Sequence, residues 1–184
     1  MVIPEKLLAA FDKRNIDLLA HSGRVFKDHL IGVHNILYQW KMPRHICYAG
    51  LFHSVYGTSD FPKPLFAETQ RHELSDLIGE RAERLAFLFS KLRPNDYINI
   101  GERPTDSCFV SVLQKWSINC STQDAKDIRR NLVIIYWANI IEQFDHLPEG
   151  HVSKPALIEI FAYSRSYLPQ NVALSVKKYL QIND

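Results

Sequence analysis

The sequence predicts an all-α, mostly helical fold in one domain spanning residues 1–184, and three patterns predict it. Apolar residues recur at helical spacing through residues 24–40, 80–92 and 122–144. Within the last of these, residues 132–141 are apolar on nearly every side, as expected of a helix at the middle of a bundle. The breaks are equally clear, because Pro43, Gly57, Pro62, Pro64 and Gly79 stand between the periodic stretches.

Composition narrows the class further. A chain of 184 residues with 46% hydrophobic content lies in the usual range for a single core. A formal charge of +2 gives no electrostatic case for a nucleic-acid partner or an anionic membrane surface. Cys47, Cys108 and Cys120 have no metal-ligand or redox spacing and leave one over from any pair, which suits a reducing compartment. Glu5 and Lys6 interrupt any apolar leader, and nowhere do 18 apolar residues run together, so neither a secretion signal nor a membrane span is expected. The expected location is cytoplasmic.

Taken in order, residues 1–14 read as a short amphipathic covering helix with Leu7, Leu8 and Phe11 on its apolar face. Ser22 and Gly23 offer a turn into the helix of residues 24–40, where Ser22 can cap an N-terminal amide. Pro43 suits the first turn of a second helix reading on to Tyr56, antiparallel to the first. Residues 57–66 form a loop, and residues 68–78 and 80–92 read as helices parted at Gly79. Alternation in residues 97–100 and 109–113 predicts a small β-hairpin within residues 95–120. Helix 122–144 follows, capped by Ser121 or Thr122, and two amphipathic helices beginning near Ser153 and Pro169 close the chain.

Histidines mark the candidate site. His29 shares a helical face with Val25, Val33, Ile36 and Trp40, and His53 ends the apolar run 46–55, so both imidazoles point inward and can converge. Two neutral imidazoles hold a divalent ion poorly without a third donor. Asn139 and Glu142 interrupt the apolar centre of the 122–144 helix three residues apart, on one face, and a buried polar pair there needs a partner. No phosphate-cradling glycine loop, nucleophile elbow or H-E-x-x-H pattern occurs.

The segment Ser22-Gly23-x-x-Phe26-x-x-His29, followed by Ala49-Gly50-Leu51-Phe52-His53, resembles the opening of the HD-domain superfamily. It is similar to the hydrolase domain of the alarmone (guanosine tetraphosphate) synthetase–hydrolases, and more closely to an uncharacterised HD-like family marked by HSGR and AGLFHS-x-YGT. Residues 77–85 and the run Tyr136-Trp137-Ala138-Asn139 extend the resemblance over roughly residues 20–147. It implies an HD-domain-like helical bundle with His29, His53 and Asn139 at the metal position and a divalent cofactor, manganese or iron. The departures are Ser54 in place of the Asp that follows the second His, Asn139 in place of the distal Asp, and Gly57 and Thr58 in place of a Glu-Asp pair. An amide or hydroxyl donates less charge to a hard cation than a carboxylate and is no general base, so alarmone hydrolysis by the usual route is not expected.

The function expected is thus a metal-dependent hydrolase acting on a small phosphorylated or nucleotide-like metabolite, with a degenerate metal site. The alternatives are a non-catalytic ligand-binding module on the same scaffold and, more remotely, an iron-dependent oxygenase. Either way the partner is a small, anionic molecule, for which His21, Arg24, Ser54, Tyr56, Thr58, Arg71 and Glu142 are the candidate contacts.

Overall fold

The computed structural model describes residues 2–14, 20–21, 24–58, 63–98, 106–144 and 153–182. The fold is all-α. Its longest helix, α8 (Thr122–Phe144), runs through the middle, and Leu132 to Ala138 are all buried. That explains why its sequence has an apolar centre and no polar stripe there: α2 (Phe26–Gln39), α3 (Arg44–Leu51), α5 (Glu80–Lys91) and α7 (Asp106–Gln114) all pack on it. Asp124 accepts hydrogen bonds from the Ser121 amide and hydroxyl, and Ser121 Oγ accepts one from the Asp124 amide, so the helix starts at a reciprocal cap.

Helix α3 runs back along α2. Gly50 lies against Leu37 and Val33, and three residues further on His53 meets His29, two turns earlier in α2. The short α1 (Glu5–Asp12) covers this pair, burying Leu7, Ala10 and Phe11 and setting the Phe11 ring 4.8 Å from that of Phe52. Helix α4 (Arg71–Ile78) meets α5 at Gly79, whose φ of +91° a side chain would resist, and which makes the sharp break between them. Helices α9 (Lys154–Ser164) and α10 (Gln170–Tyr179) close the bundle. Trp137 donates to Ser164 Oγ and Trp40 to Ser175 Oγ, both at 2.9 Å, so the tail is fastened to α8 and α2 by indole hydrogen bonds.

Two expectations are corrected. The stretch 95–120 contains no hairpin among the described residues: α6 (Pro94–Tyr97) begins it, and α7 occupies residues 106–114. Phe109 and Leu113 satisfy a strand period and an i, i+4 helical period alike, and packing both on α8 decides for the helix. The strand pairing that the described residues do contain is a two-residue ladder, β1 (Ala20–His21) with β2 (Arg24–Val25), in the antiparallel register Ala20↔Val25 and His21↔Arg24. Secondly, α3 ends at Leu51 and does not reach Tyr56; Phe52 leaves the helical region at φ −118° and the chain continues in turns. The cap expected from Ser22 lies outside the described residues; the residue at the α2 N-cap is Val25, with no side-chain bond. No helix among the described residues is long and apolar enough to cross a membrane.

Candidate functional site

The two inward histidines converge. His29 comes from the first turn of α2 and His53 from the turn after α3, and their Nε2 atoms stand 3.3 Å apart with both residues 1% exposed. Each ring is fixed from its other side. His53 Nδ1 lies 2.7 Å from the Gly50 carbonyl oxygen, which can only accept, so that nitrogen carries the proton. His29 Nδ1 meets Glu142 Oε2, and an ionised Glu142 fixes the His29 proton on Nδ1 in the same way. Both Nε2 atoms then turn lone pairs toward one another across the gap. The edge of the Phe89 ring closes the side of His53, at 5.1 Å between centroids and 89° between planes.

Glu142 reaches His29 because α2 has a gap beneath it. A Cβ on Gly32 would stand 2.5 Å from Glu142 Oε1 and 2.7 Å from its Cγ, so the carboxylate occupies the place a side chain would take. Glycine is required there by close approach. Gly50 likewise lets α3 meet α2, since a Cβ on it would stand 2.2 Å from Leu37 Cδ1.

Asn139 lies one turn before Glu142 on α8. Its Nδ2 donates to Gln143 Oε1 at 3.4 Å, while its Oδ1 is buried with no hydrogen-bond partner among the described residues. The acidic group that touches the histidine pair is Glu142, through the outer nitrogen of His29. Among the described residues no three His, Cys, Asp or Glu side chains cluster as a metal site, and the donors that face one another are the two Nε2 atoms. An imidazole pair whose outer nitrogens are held by a carboxylate and a backbone carbonyl is the arrangement that metal-ligating histidines use.

Tyr56 and Arg71, read from the sequence as ligand contacts, turn instead to a carboxylate that sequence reasoning missed. Glu83 is buried on α5; it accepts from Tyr56 Oη at 2.8 Å and from Arg71 Nε and Nη2 at 2.7 and 2.9 Å. The Arg71 guanidinium also stacks 3.7 Å above Phe87. This network clamps the turn after His53 to α4 and α5. Burial pushes the Tyr56 hydroxyl well above its ordinary range, and the Glu83 carboxylate adds to it. The signal for Glu83 was its place between Ala82 and Ala86, on the apolar side of a helix whose other charges face out.

Ser54 is buried beside the pair and its carbonyl accepts the Gly57 amide at 3.0 Å; Thr58 is half-buried. His21 and Arg24 enter the β1–β2 ladder through their backbones, and their side chains lie outside the described parts.

Residues 10–93 match the model of a domain of unknown function, DUF6817. The matched span holds both histidines, Gly32 and Glu83 and stops short of α8, which carries Asn139 and Glu142. No curated protein and no solved structure matches the chain.

Proposed function

We propose that the chain is an HD-like, metal-dependent hydrolase with a reduced ligand set, acting on a small phosphorylated or nucleotide-like metabolite. One observation carries this reading: the 3.3 Å separation of the two Nε2 atoms, each on a ring whose Nδ1 is already engaged. Two imidazole nitrogens each about 2.0–2.1 Å from one tetrahedral ion lie about 3.3–3.4 Å apart, so the gap has the width of a coordination edge. A divalent first-row ion, manganese and iron included, supplies Lewis acidity toward a phosphoryl oxygen and a more acidic water. The chain's own part is to hold the rings. Glu142 keeps the His29 proton on Nδ1, the Gly50 carbonyl does the same for His53, and Asn139 offers a neutral oxygen. With Ser54, Gly57 and Thr58 where the resemblance would have carboxylates, the ion is held weakly and general-base help is lost, so guanosine tetraphosphate is not the substrate.

The test is metal titration of protein stripped with chelator, by calorimetry with manganese, iron(II) and zinc. One ion per chain is expected, lost on His53→Ala and weakened about 10–100-fold on Glu142→Gln, as for other supports of a ligating imidazole. Binding unaffected by either change would refute the assignment. The near-complete burial of both rings favours a second reading, a non-catalytic module in which the pair only braces α2 against the turn after α3. On that reading no ion binds, and both variants lose stability alone.

A further inference from the structure

A cavity of about 600 Å³ opens between the first turn of α3, the start of α5 and the N-terminal half of α8. It shares no residue with the histidine pair. Ile134, the last cavity residue along α8, precedes Glu142 by eight positions, about 12 Å of helix. Its volume lies in the range of small-molecule sites, and its lining is more polar than apolar. Ile46, Leu85, Ile128 and Ile134 provide the apolar surface.

Charge at the rim favours an anion. Arg81, Arg84 and Arg130 face two carboxylates, Asp124 and Asp127. Both carboxylates have partners within α8 and its cap, Asp127 in Gln123 Nε2 at 3.3 Å and Asp124 in the amide and hydroxyl of Ser121, which with the nearby Arg84 and Arg81 charges hold the Asp124 carboxyl below its usual range. Of the guanidinium groups, Arg84 makes an exposed i, i+4 ion pair with Glu80 at 3.3 Å. Arg81 and Arg130 have no hydrogen bond or ion pair with any described residue. His45 also lines the cavity; burial, then Arg81, lower its imidazole's affinity for a proton, and as a neutral ring it can accept as well as donate. Asn119 and Asn131 add two amides.

We propose that this cavity is a second ligand site, independent of the histidine centre. Its ligand is a small organic anion, with a phosphate or carboxylate held by the rim guanidinium groups, Arg81 and Arg130 foremost. The flat or apolar body of the ligand covers Ile46, Leu85, Ile128 and Ile134. The site does not rest on the metal reading, since none of its groups touches the pair.

Cys120 lies in the cavity wall and reports on occupancy, while the exposed Cys108 serves as a reference in the same chain. The full-length protein is alkylated with iodoacetamide at pH 9, because burial first and then Asp124 raise the Cys120 thiol, and both cysteines are followed by peptide mass spectrometry. The probes are adenosine monophosphate and naphthyl phosphate, with inorganic phosphate as the anion lacking a body. Millimolar amounts of either organic probe are expected to slow Cys120 alkylation at least fivefold and leave Cys108 unchanged, with phosphate alone acting more weakly. The double variant Arg81→Ala, Arg130→Ala changes only exposed positions, keeps the fold, and should lose the protection; His53→Gln should retain it. Failure of both organic probes to slow Cys120, protection that survives in the arginine variant, or protection lost in His53→Gln would each overturn the proposal.

Discussion

Replacing Gly32 by Ala tests how Glu142 is placed. In an ordinary helix interior this change stabilises by about 1 kcal/mol through helix propensity. Here the new Cβ would stand 2.5 Å from Glu142 Oε1, 2.7 Å from its Cγ and 2.9 Å from its Cδ, so the carboxylate must withdraw by about 1 Å to reach normal contact. Withdrawal breaks the bond to His29, a charge-assisted hydrogen bond between buried groups worth about 1.5–3 kcal/mol. The net is a loss of about 0.5–2 kcal/mol, or roughly 1–8 °C in Tm for a chain of this size.

The decisive measurement is a double-mutant cycle by thermal or urea unfolding. In a Glu142→Ala background the obstruction is gone, and the same Gly32→Ala change should stabilise by about 0.5–1 kcal/mol. The sign of one substitution therefore reverses with the identity of residue 142. If Gly32→Ala stabilises in both backgrounds, Glu142 does not depend on the gap in α2 and the account of its placement fails.

Gly50→Ala should destabilise without such a reversal, by about 1–3 kcal/mol in urea unfolding, because its Cβ meets Leu37 Cδ1 at 2.2 Å and Val33 Cγ1 at 3.2 Å where two helices cross. A loss under 0.5 kcal/mol would mean that α2 and α3 can part freely there. Glu83→Ala removes the acceptor of Tyr56 and Arg71 and should cost about 2–3 kcal/mol. Proteolysis should then cut first next to the clamped residues, at Tyr56 to Thr58 or 63–71; an unchanged cleavage pattern would count against that role.

The helices that could be read in the sequence are those whose limits are set locally. Ser121 and Asp124 cap α8, Gly79 parts α4 from α5, and Ser153 Oγ accepts the Ala156 amide at the start of α9, all within four residues. The stretch 95–120 could not be read, because Phe109 and Leu113 fit two periods and only packing on α8, outside the stretch, chooses between them. The meeting of His29 and His53 was legible from inward spacing. Which member of the Asn139 and Glu142 pair reaches the histidines was not, since residues three apart share a face, and the choice rests on a missing side chain at Gly32 in another helix. For Tyr56, Arg71 and Glu83 the apolar-side position of Glu83 marked a buried carboxylate, but periodicity within α5 does not say which residues of other elements pair with it.

His34 gives the fold a dependence on pH that can be argued through. It lies on α2 with no exposed surface, Nδ1 at 3.2 Å from Asn35 Oδ1 and Nε2 without a hydrogen-bond partner among the described residues. Burial lowers its affinity for a proton below the ordinary value of 6.5, and the Asn35 contact offsets only part of this. The unfolded chain therefore takes up the proton first as pH falls. The contribution of a neutral His34 to stability is complete above about pH 6.5 and declines below it, by at most about 1.4 kcal/mol per pH unit. His45 shifts in the same direction, for burial first and Arg81 second, and adds to the slope. Tm measured from pH 7.5 to 5.5 should fall for the native chain and fall less steeply for His34→Leu, which needs no proton and leaves no unpaired nitrogen. Parallel slopes for the two proteins would show that His34 gains its proton as readily in the fold as outside it, and that the acid sensitivity arises from other groups.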